Sequence, residues 1–387
     1  MKEIALALVE RVRAGEYRGY DPYDALNSGL LRAMPSKYLK ITITQGLVYS
    51  PVNLRMLLGI RKGTNPKSLG LVLKGICGLR RSGILGNESF FSLSNDLVGR
   101  IRESSSKGYG GYCWGFNFPW QDLTRFSEPY LPTIVITSFM GDALLDLYGI
   151  TGERDVLHMA EGACEFITSD LNRYENEKGI CFSYTPIDNN VVHNASMLGA
   201  SLLARLGSLT GRAEYGALAR KALSFTLSYQ REDGSWPYSL YPRSGRERMQ
   251  VDFHQGFVLD CIMDVIKYVD DHDMRASHAL EKGIAFYRDR QFDGGRGLWR
   301  YPRRWPQDIH HQAQGVITFS KYYGMTGDEA HLRKAGEILD HTLKYFTKSN
   351  GSFLYQRWPL FTNRIEYLRW ADAWMVLAFG EYLKVRT

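Results

Sequence analysis

Apolar residues recur three and four positions apart along much of the chain, a spacing typical of helices with one buried face. KALSFTLSYQ and KAGEILDHTLKYF are two such stretches. This half-buried pattern predicts helices near 91–104, 153–171, 213–229, 275–291 and 328–346. A second set is apolar on more sides and richer in small residues, near 68–82, 133–149, 192–208, 253–268, 310–324 and 364–384. The two kinds alternate, which predicts helical hairpins with one inner and one outer helix.

A Thr-Gly dipeptide marks the turn within several of these hairpins. It stands at Thr151-Gly152, Thr210-Gly211 and Thr326-Gly327, and the spacings are 59 and 116 residues. These are close to one and two periods of a single repeat. The missing member falls near residue 270, where KYVDDHDMRASH supplies a polar turn.

Glycine followed closely by aromatic residues marks the opposite end of each hairpin. The marker glycines are Gly111, Gly179, Gly234, Gly297 and Gly351, in phrases such as GYGGYCWGF and DGSWPYS. Such phrases are typical of tight loops or short strands.

Pairing the N-terminal helix 2–14 with the last helix closes a ring of six hairpins. The prediction is an all-α fold, an (α/α)6 toroid with short strands or loops at one face. We expect one domain over 1–387, because each hairpin buries its apolar face only against its neighbours. Residues 20–67 fit the repeat poorly and are interpreted as an irregular helical insertion or cap.

Bulk composition narrows the class of protein. The 387 residues carry a net charge of +7, and the five cysteines form no CxxC pair. Neither a secretory signal nor a membrane span is evident, so the expectation is a cytoplasmic protein with reduced thiols. No metal or other cofactor is predicted. Nucleic acid is not the expected partner, since no recognition motif is present.

The predicted ring collects histidines at one face. Inner helices run parallel, so their N-termini share that face, which brings together His193, His254, His310 and His311. Asn194, Asp252, Gln255, Asp308, Arg364, Glu366 and Arg369 lie in the same segments. Asp252 and Asp308 each precede a histidine by two positions, where a carboxylate can orient an imidazole or simply cap the helix.

Aromatic and basic residues concentrate in the loops of the same face. The aromatic candidates for sugar stacking are Trp114, Trp120, Trp236, Trp299, Tyr301 and Trp305, and arginines such as Arg300 and Arg304 lie among them. Aromatic faces suit sugar rings, and arginine forks suit carboxylates. The predicted ligand is therefore an anionic saccharide.

These repeats resemble the six-hairpin carbohydrate-active enzymes, which include N-acylglucosamine 2-epimerases, unsaturated glucuronyl hydrolases, some polysaccharide lyases and the C-terminal domain of glucuronyl C5-epimerases. RGYDPYDALNS, GGYCWGFNFPWQ and TNRIEYLRWADAWM resemble a bacterial and archaeal family associated with polysaccharide biosynthesis. The resemblance implies a toroid that makes or modifies a glycan.

Three functions remain open from the residues alone. In the first, His254 and His311 transfer protons in an epimerase or lyase acting on a uronic acid, with Glu366 as acid and Arg364 or Arg369 as carboxylate clamp. In the second, an inverting glycoside hydrolase uses Glu366 with Asp252 or Asp308, roughly 6.5–9.5 Å apart. The third is a non-catalytic toroid that only binds glycan or a protein partner, as a scaffold. Independently of these functions, Glu366 and Arg369 are three residues apart and could simply form an ion pair on one helix.

Overall fold

Two concentric layers of helices make up the computed structural model, which describes residues 1–123, 125–269 and 274–386. The helices are α1 (Lys2–Ala14), α2 (Gly29–Arg32), α3 (Lys37–Tyr49), α4 (Pro66–Arg81), α5 (Asn87–Glu103), α6 (Ile134–Thr151), α7 (Arg154–Ser169), α8 (His193–Thr210), α9 (Ala213–Leu227), α10 (His254–Val269), α11 (Met274–Arg290), α12 (Ile309–Thr326), α13 (Glu329–Phe346) and α14 (Asp372–Lys384). A 3-10 turn covers Asp24–Asn27.

The even-numbered helices from α4 to α14 form the inner layer. Each packs against the next, and α14 returns to pack against α4, so the ring is closed. The outer partners are α5, α7, α9, α11 and α13, while α1 packs against α14. The predicted (α/α)6 toroid is confirmed, including the pairing of the first helix with the last.

Short strands lie in the loops that lead into the inner helices. They are β1 (Trp120–Gln121), β2 (Phe126–Ser127), β3 (Arg173–Asn176), β4 (Gly179–Phe182), β5 (Val191–Val192), β6 (Ser239–Tyr241), β7 (Arg246–Arg248), β8 (Phe292–Asp293), β9 (Arg296–Gly297), β10 (Gln307–Asp308), β11 (Gln356–Arg357) and β12 (Thr362–Asn363). All pairings are antiparallel, as β5-β6-β7, β10-β11-β12 and three two-stranded ribbons.

Glycine allows α4 and α14 to approach closely enough to close the ring. A Cβ atom added at Gly78 would lie 2.6 Å from the carbonyl of Gly380, and one added at Gly380 would lie 2.4 Å from the carbonyl oxygen of Gly75. These distances are too short for any side chain, so the two backbones touch directly.

One hydrogen bond recurs wherever a glycine-aromatic loop meets the inner helix that follows it. A backbone N–H of the loop donates to a side chain near the start of that helix. The pairs are Trp114 to Thr137, Phe182 to Ser196, Trp236 to Gln255, Gly297 to Gln312 and Phe353 to Asp372. At Gly234 the loop adopts φ +94 and passes so close to α11 that an added Cβ would lie 2.4 Å from the Lys282 carbonyl oxygen.

The Thr-Gly dipeptides end the inner helices, as the repeat predicts. Gly152, Gly211 and Gly327 all adopt the left-handed conformation at the helix C-cap. The preceding threonine hydroxyl donates to the carbonyl four residues earlier in each case. The turn expected near residue 270 lies at 270–273, outside the described residues.

Ion pairs join the C-terminal halves of the inner helices. Asp142 of α6 pairs with Lys74 of α4 and with Arg205 of α8. Lys321 of α12 pairs with Asp264 of α10 at 2.7 Å. This end of the ring axis is therefore filled by charges that neutralise one another.

The start of the last inner helix differs from the sequence-based prediction. The last inner helix begins at Asp372 rather than near 364, because residues 356–363 pair as β11 and β12 and Asp372 is used to hold the Phe353 loop.

Helix α6 is long and apolar enough to cross a membrane, but 67% of it is buried in the ring. All five cysteines are buried and unpaired.

Replacing Gly78 by alanine tests the ring closure. We expect Gly78→Ala to lower the free energy of unfolding by about 1–3 kcal/mol, because the new methyl group overlaps the Gly380 backbone. Urea unfolding followed by circular dichroism measures the change. Gly99→Ala in α5 is the control, since no neighbouring atom lies within 4 Å of its added Cβ, and it should be neutral or stabilising by up to about 1 kcal/mol. Equal behaviour of the two variants would contradict the role of Gly78.

Candidate active site

Three inner helices begin with the same local hydrogen bond. The side chains of Asn65, Asp252 and Asp308 each accept a hydrogen bond from the backbone N–H two residues later, at 3.1, 3.1 and 2.9 Å. This capping satisfies an N–H group that the helix leaves free. The residues two positions after these caps, Lys67, His254 and His310, therefore occupy equivalent positions on α4, α10 and α12.

Aromatic rings bring these side chains together at the N-terminal end of the ring axis. The His310 ring lies 4.1 Å from Phe253 and 4.3 Å from Trp374, measured between centroids. Phe253 also lies 4.2 Å from the ring of His254. His310 is buried, neither of its ring nitrogens has a partner among the described residues, and burial lowers its pKa well below the usual value. His310 is therefore a neutral imidazole.

Asp252 and His254 form a carboxylate–imidazole dyad. Oδ1 of Asp252 lies 2.6 Å from Nδ1 of His254, and Gln250 donates to the other oxygen at 2.8 Å. Burial raises the pKa of Asp252, but the neighbouring His254 and these hydrogen bonds bring it below its ordinary value. The carboxylate is therefore ionised and fixes the imidazole through Nδ1, which leaves Nε2 of the half-buried ring for a ligand.

Asp308 has a different environment although its sequence motif is the same. It accepts hydrogen bonds from Trp370 at 2.9 Å and from Gln356 at 2.7 Å, in addition to the capping bond. Burial raises its pKa to about 6. This carboxylate joins β11 and Trp370 to the start of α12, so its contacts are structural.

Lys67 is a site residue that sequence reasoning missed. Its Nζ lies 4.2 Å from the Phe139 ring centroid and 5.0 Å from that of Trp374. No hydrogen bond or ion pair to Nζ occurs among the described residues. Burial lowers the pKa of Lys67 well below its ordinary value, and the positive charge of Arg369 lowers it further. The sequence does contain a signal for Lys67: in Asn65-Pro66-Lys67 a capping residue stands two positions before Lys67, as Asp252 stands two positions before His254.

The segment between α1 and α4 lies over this centre. Arg369 forms two hydrogen bonds with Asp21, and the buried pair Arg55–Asp24 lies at 2.7 Å. The Tyr23 ring contacts Trp120 at 5.2 Å and Trp370 at 5.6 Å. Trp370 in turn contacts His310 edge-on at 4.7 Å, so the segment reaches the ring centre through Trp370.

Two of the four predicted histidines do not face the ring centre. His193 packs against Phe225 and Tyr229 of the outer layer, with centroids 5.6 and 5.1 Å away. His311 stacks on Tyr287 of α11 at 5.9 Å. Adjacent helical residues point about 100° apart, so only His310 of the His310-His311 pair can face inward. Asn194, next to His193, is buried and its Oδ1 has no described partner.

Glu366, Arg364 and Arg369 are also placed differently from the prediction. Glu366 lies outside the ring centre, beside α1, and accepts hydrogen bonds from Lys348, Asn350 and Arg11 at 2.7–3.0 Å. Despite the effect of burial, these donors lower its pKa to about 2, so it stays ionised and cannot serve as a general acid. It lines a cavity of about 610 Å³ between α1 and residues 366–372. Arg369 is held by Asp21, and Arg364 is exposed.

Two predicted aromatic contacts are core residues instead. Trp114 and Trp236 are fully buried, and their indoles donate to the carbonyls of Ile101 at 2.8 Å and Thr226 at 3.1 Å. Gln255 binds both the N–H and the carbonyl of Trp236, so it braces that loop.

The remaining predicted aromatic residues stay half-buried in the loops of the expected face. Trp120 contacts Tyr23, Arg300 lies over Trp299 at 4.6 Å, and Arg296 lies over Trp305 at 5.8 Å. Tyr301 contacts Phe286 at 5.5 Å. Trp374, which is fully buried, and Trp370 both contact the ring of His310.

Comparison with known proteins agrees with the fold. No family model matches the sequence, and no curated protein is significantly similar to it in sequence. A sugar epimerase from a ruminal bacterium superimposes with a TM-score of 0.67 at 14% identity, covering 85% of this chain and 90% of that one. The cellobiose 2-epimerase of Bacillus thermoamylovorans gives 0.64 at 12% identity, covering 82% and 88%.

A hydrolase shares the architecture as well. An unsaturated glucuronyl hydrolase specific for heparin gives a TM-score of 0.65 at 14% identity and covers 100% of this chain and 97% of that one. The chain therefore has the (α/α)6 toroid fold found in both sugar epimerases and glycoside hydrolases.

Replacing Lys67 by methionine tests whether this lysine lowers stability. We expect Lys67→Met to raise the free energy of unfolding by about 1–3 kcal/mol at neutral pH, because burial disfavours the charged amine. As pH rises toward the ordinary lysine pKa of 10.5, the folded wild type loses its proton before the unfolded chain does. Wild-type stability then rises and the advantage of the variant shrinks. Urea unfolding at several pH values measures both effects.

The matched control is Lys321→Met, which removes a lysine of the same inner layer that is paired with Asp264. That variant should be destabilised. Loss of stability in Lys67→Met at neutral pH would indicate an ordinary structural role and contradict the assignment.

Proposed function

We propose that the protein is a carbohydrate-active enzyme that transfers a proton at a sugar carbon, as an epimerase or a lyase. The single observation that carries this proposal is the Asp252–His254 dyad, which lies beside neutral His310 and unpaired Lys67 at the centre of the ring. The fold shared with sugar epimerases and with glycoside hydrolases supports a saccharide as the substrate.

His254 is the proposed base. Asp252 holds Nδ1 and so orients Nε2 toward a ligand, the arrangement by which a carboxylate makes an imidazole an effective base. Nε2 takes the proton from the carbon beside a carboxylate or carbonyl group, and the negative charge moves to the oxygen of that group. Delivery of a proton from solvent to the opposite face of the carbon gives an epimer. Cleavage of the C–O bond at the next carbon gives an unsaturated product, and the departing oxygen takes the proton held by Nε2.

His310 and Lys67 are proposed to stabilise the charge that develops on oxygen. A neutral imidazole can donate a hydrogen bond from N–H to an oxyanion, and an ammonium group nearby adds direct attraction in a buried site. Neither ring nitrogen of His310 has a partner among the described residues, and the amine of Lys67 contacts only aromatic rings there.

Lys67 also supports an acidic sugar as the substrate. A buried lysine without a carboxylate partner is costly, and a ligand carboxylate would provide that partner. The arginines Arg300 and Arg248, near the dyad, add positive charge at the same face. A uronic acid is the saccharide class that fits these groups.

Incubation with a panel of uronic-acid oligosaccharides in D₂O tests the reaction. An epimerase should introduce deuterium at carbon, measured by mass spectrometry, and a lyase should produce an unsaturated product that absorbs in the ultraviolet. His254→Ala should lower kcat about 100-fold or more, the usual contribution of a general base. Asp252→Asn should lower kcat with a smaller effect, because the imidazole loses its orientation.

His193→Phe is the matched control, since His193 only packs against Phe225 and Tyr229 and phenylalanine preserves that contact. It should keep activity within a few-fold. New reducing ends without deuterium at carbon and without an unsaturated product would favour hydrolysis, which is the alternative. Turnover that survives in His254→Ala would contradict the assigned base.

The pH dependence of binding tests the role of Lys67. A uronic-acid oligosaccharide should bind tightly when Lys67 is protonated, and its affinity should fall about tenfold per pH unit above the lowered pKa of this amine. Titration calorimetry measures the affinity and the proton uptake. In Lys67→Met the acidic ligand should bind weakly and this pH dependence should disappear, while a neutral oligosaccharide should bind both proteins alike. Identical profiles for both proteins with the acidic ligand would contradict the proposal.

A further inference from the structure

The segment that covers the ring centre has an unusual charge distribution. No aspartate or glutamate occurs between Asp24 and Glu88. Within 25–62 the cations are Arg32, Lys37, Lys40, Arg55, Arg61 and Lys62, and only Arg55 is buried, in its pair with Asp24. The surface of this segment is therefore cationic without any carboxylate of its own.

Large apolar side chains protrude from the same segment. Met56 is 78% exposed and Leu57 is 85% exposed, and Leu30, Tyr38, Leu39 and Val52 are also exposed. On α3 the buried residues Thr44, Leu47 and Val48 lie on one side, and Tyr38, Leu39 and Tyr49 lie on the other. The outward face of this helix thus carries large apolar and aromatic side chains beside Lys37 and Thr42.

Two neighbouring loops continue this surface. Lys37 donates to the Leu123 carbonyl at 2.8 Å, and Leu123 is exposed. The Tyr49 ring lies 6.1 Å from Trp358, which stacks on Phe361 at 5.4 Å. Leu360, beside it, is 97% exposed. We call residues 29–62 together with Leu123, Leu360 and Phe361 the cap face.

Acidic groups next to the cap face are already paired. Glu128 pairs with Arg32 at 2.5 Å, and Asp122 accepts a hydrogen bond from the Arg125 N–H at 2.8 Å. The exposed lysines Lys37 and Lys62 are not paired with a carboxylate in the described residues. The net charge of the surface is therefore positive.

We infer that the cap face docks on the surface of a lipid bilayer that contains anionic lipids. Protruding Leu, Met and Tyr side chains suit the boundary between head groups and acyl chains. Lysine and arginine next to them suit anionic head groups, which attract basic residues near the membrane surface. A nucleic acid would match the charge but not the apolar tips, and a second copy of this chain would match the apolar tips but carry the same positive charge.

Docking in this orientation turns the covered ring centre toward the bilayer. Tyr23 and Trp370 link the segment to His310, so a substrate held at the membrane surface would approach from the correct side. We therefore expect the substrate to be a saccharide attached to a lipid, because such a molecule is held at the membrane surface. This last step rests on the proposed function, whereas the docking itself does not.

Vesicle co-sedimentation tests the docking. The protein should bind vesicles of phosphatidylcholine with phosphatidylglycerol and bind poorly to pure phosphatidylcholine. In about 0.5 M salt, where screening is strong, binding should weaken but not vanish, because the apolar tips still insert. Met56→Asp should lower the partition coefficient about tenfold or more, since it places a charge among the inserting side chains.

Met274→Asp is the matched control, because Met274 is 84% exposed on α11, at the opposite end of the hairpins. It should bind vesicles like the wild type. Three outcomes would overturn the inference: no binding to anionic vesicles, equal loss in both variants, or a dimer in solution that Met56→Asp dissociates.

Activity on a soluble oligosaccharide separates this inference from the proposed function. Met56→Asp should leave that activity unchanged, because Met56 does not contact the ring centre. Vesicle binding without turnover would support the docking and contradict the enzyme, and turnover without vesicle binding would do the reverse.

Discussion

Closure of the ring between α4 and α14 is the constraint on which the rest of the structure depends. Each inner helix buries its apolar surface only against its neighbours, so an open ring would leave two apolar faces in water. The closing contact joins residues about 300 positions apart in the chain, and it works because Gly75, Gly78 and Gly380 let the two backbones touch. With the ring closed, six helix N-termini are directed at one small region.

The same loop-to-helix hydrogen bond recurs around that region, whereas the side chains that face the ring axis differ from helix to helix. A backbone N–H group of each glycine-aromatic loop donates to a side chain at the start of the inner helix that follows, so five inner helices begin at equivalent positions relative to their loops. The accepting side chains are those of Thr137, Ser196, Gln255, Gln312 and Asp372. The residue two positions after the capping residue then faces the axis, as Lys67, His254 and His310 do. The scaffold is regular, and the chemistry comes from which residue occupies that position. Lys67 and His310 are buried there, and the ring nitrogens of His310 have no partner among the described residues; burial of a polar group without a hydrogen bond is costly.

The two Asp-x-His motifs illustrate how environment separates identical sequences. Asp252 contacts the ring of His254 and is ionised, whereas Asp308 binds Trp370 and Gln356 and leaves the ring of His310 without a carboxylate. The difference arises because Trp370 donates to Oδ1 of Asp308, whereas the corresponding oxygen of Asp252 contacts Nδ1 of His254. Asp252 therefore forms a dyad with His254, whereas Asp308 connects the loop residues Gln356 and Trp370 to the start of α12.

Periodicity, the Thr-Gly turns and the glycine-aromatic loops were enough to predict the toroid and the order of its hairpins, because these signals are local and repeat with the chain. They also predicted that the inner helices begin at one common face. They could not tell whether His310 or His311 points inward, that Trp114 and Trp236 belong to the core, or that Lys67 joins the histidines. Those outcomes depend on the rotation of each inner helix about its own axis. That rotation is set by packing against two neighbouring helices and a covering segment, and these contacts exist only after distant parts of the chain have met.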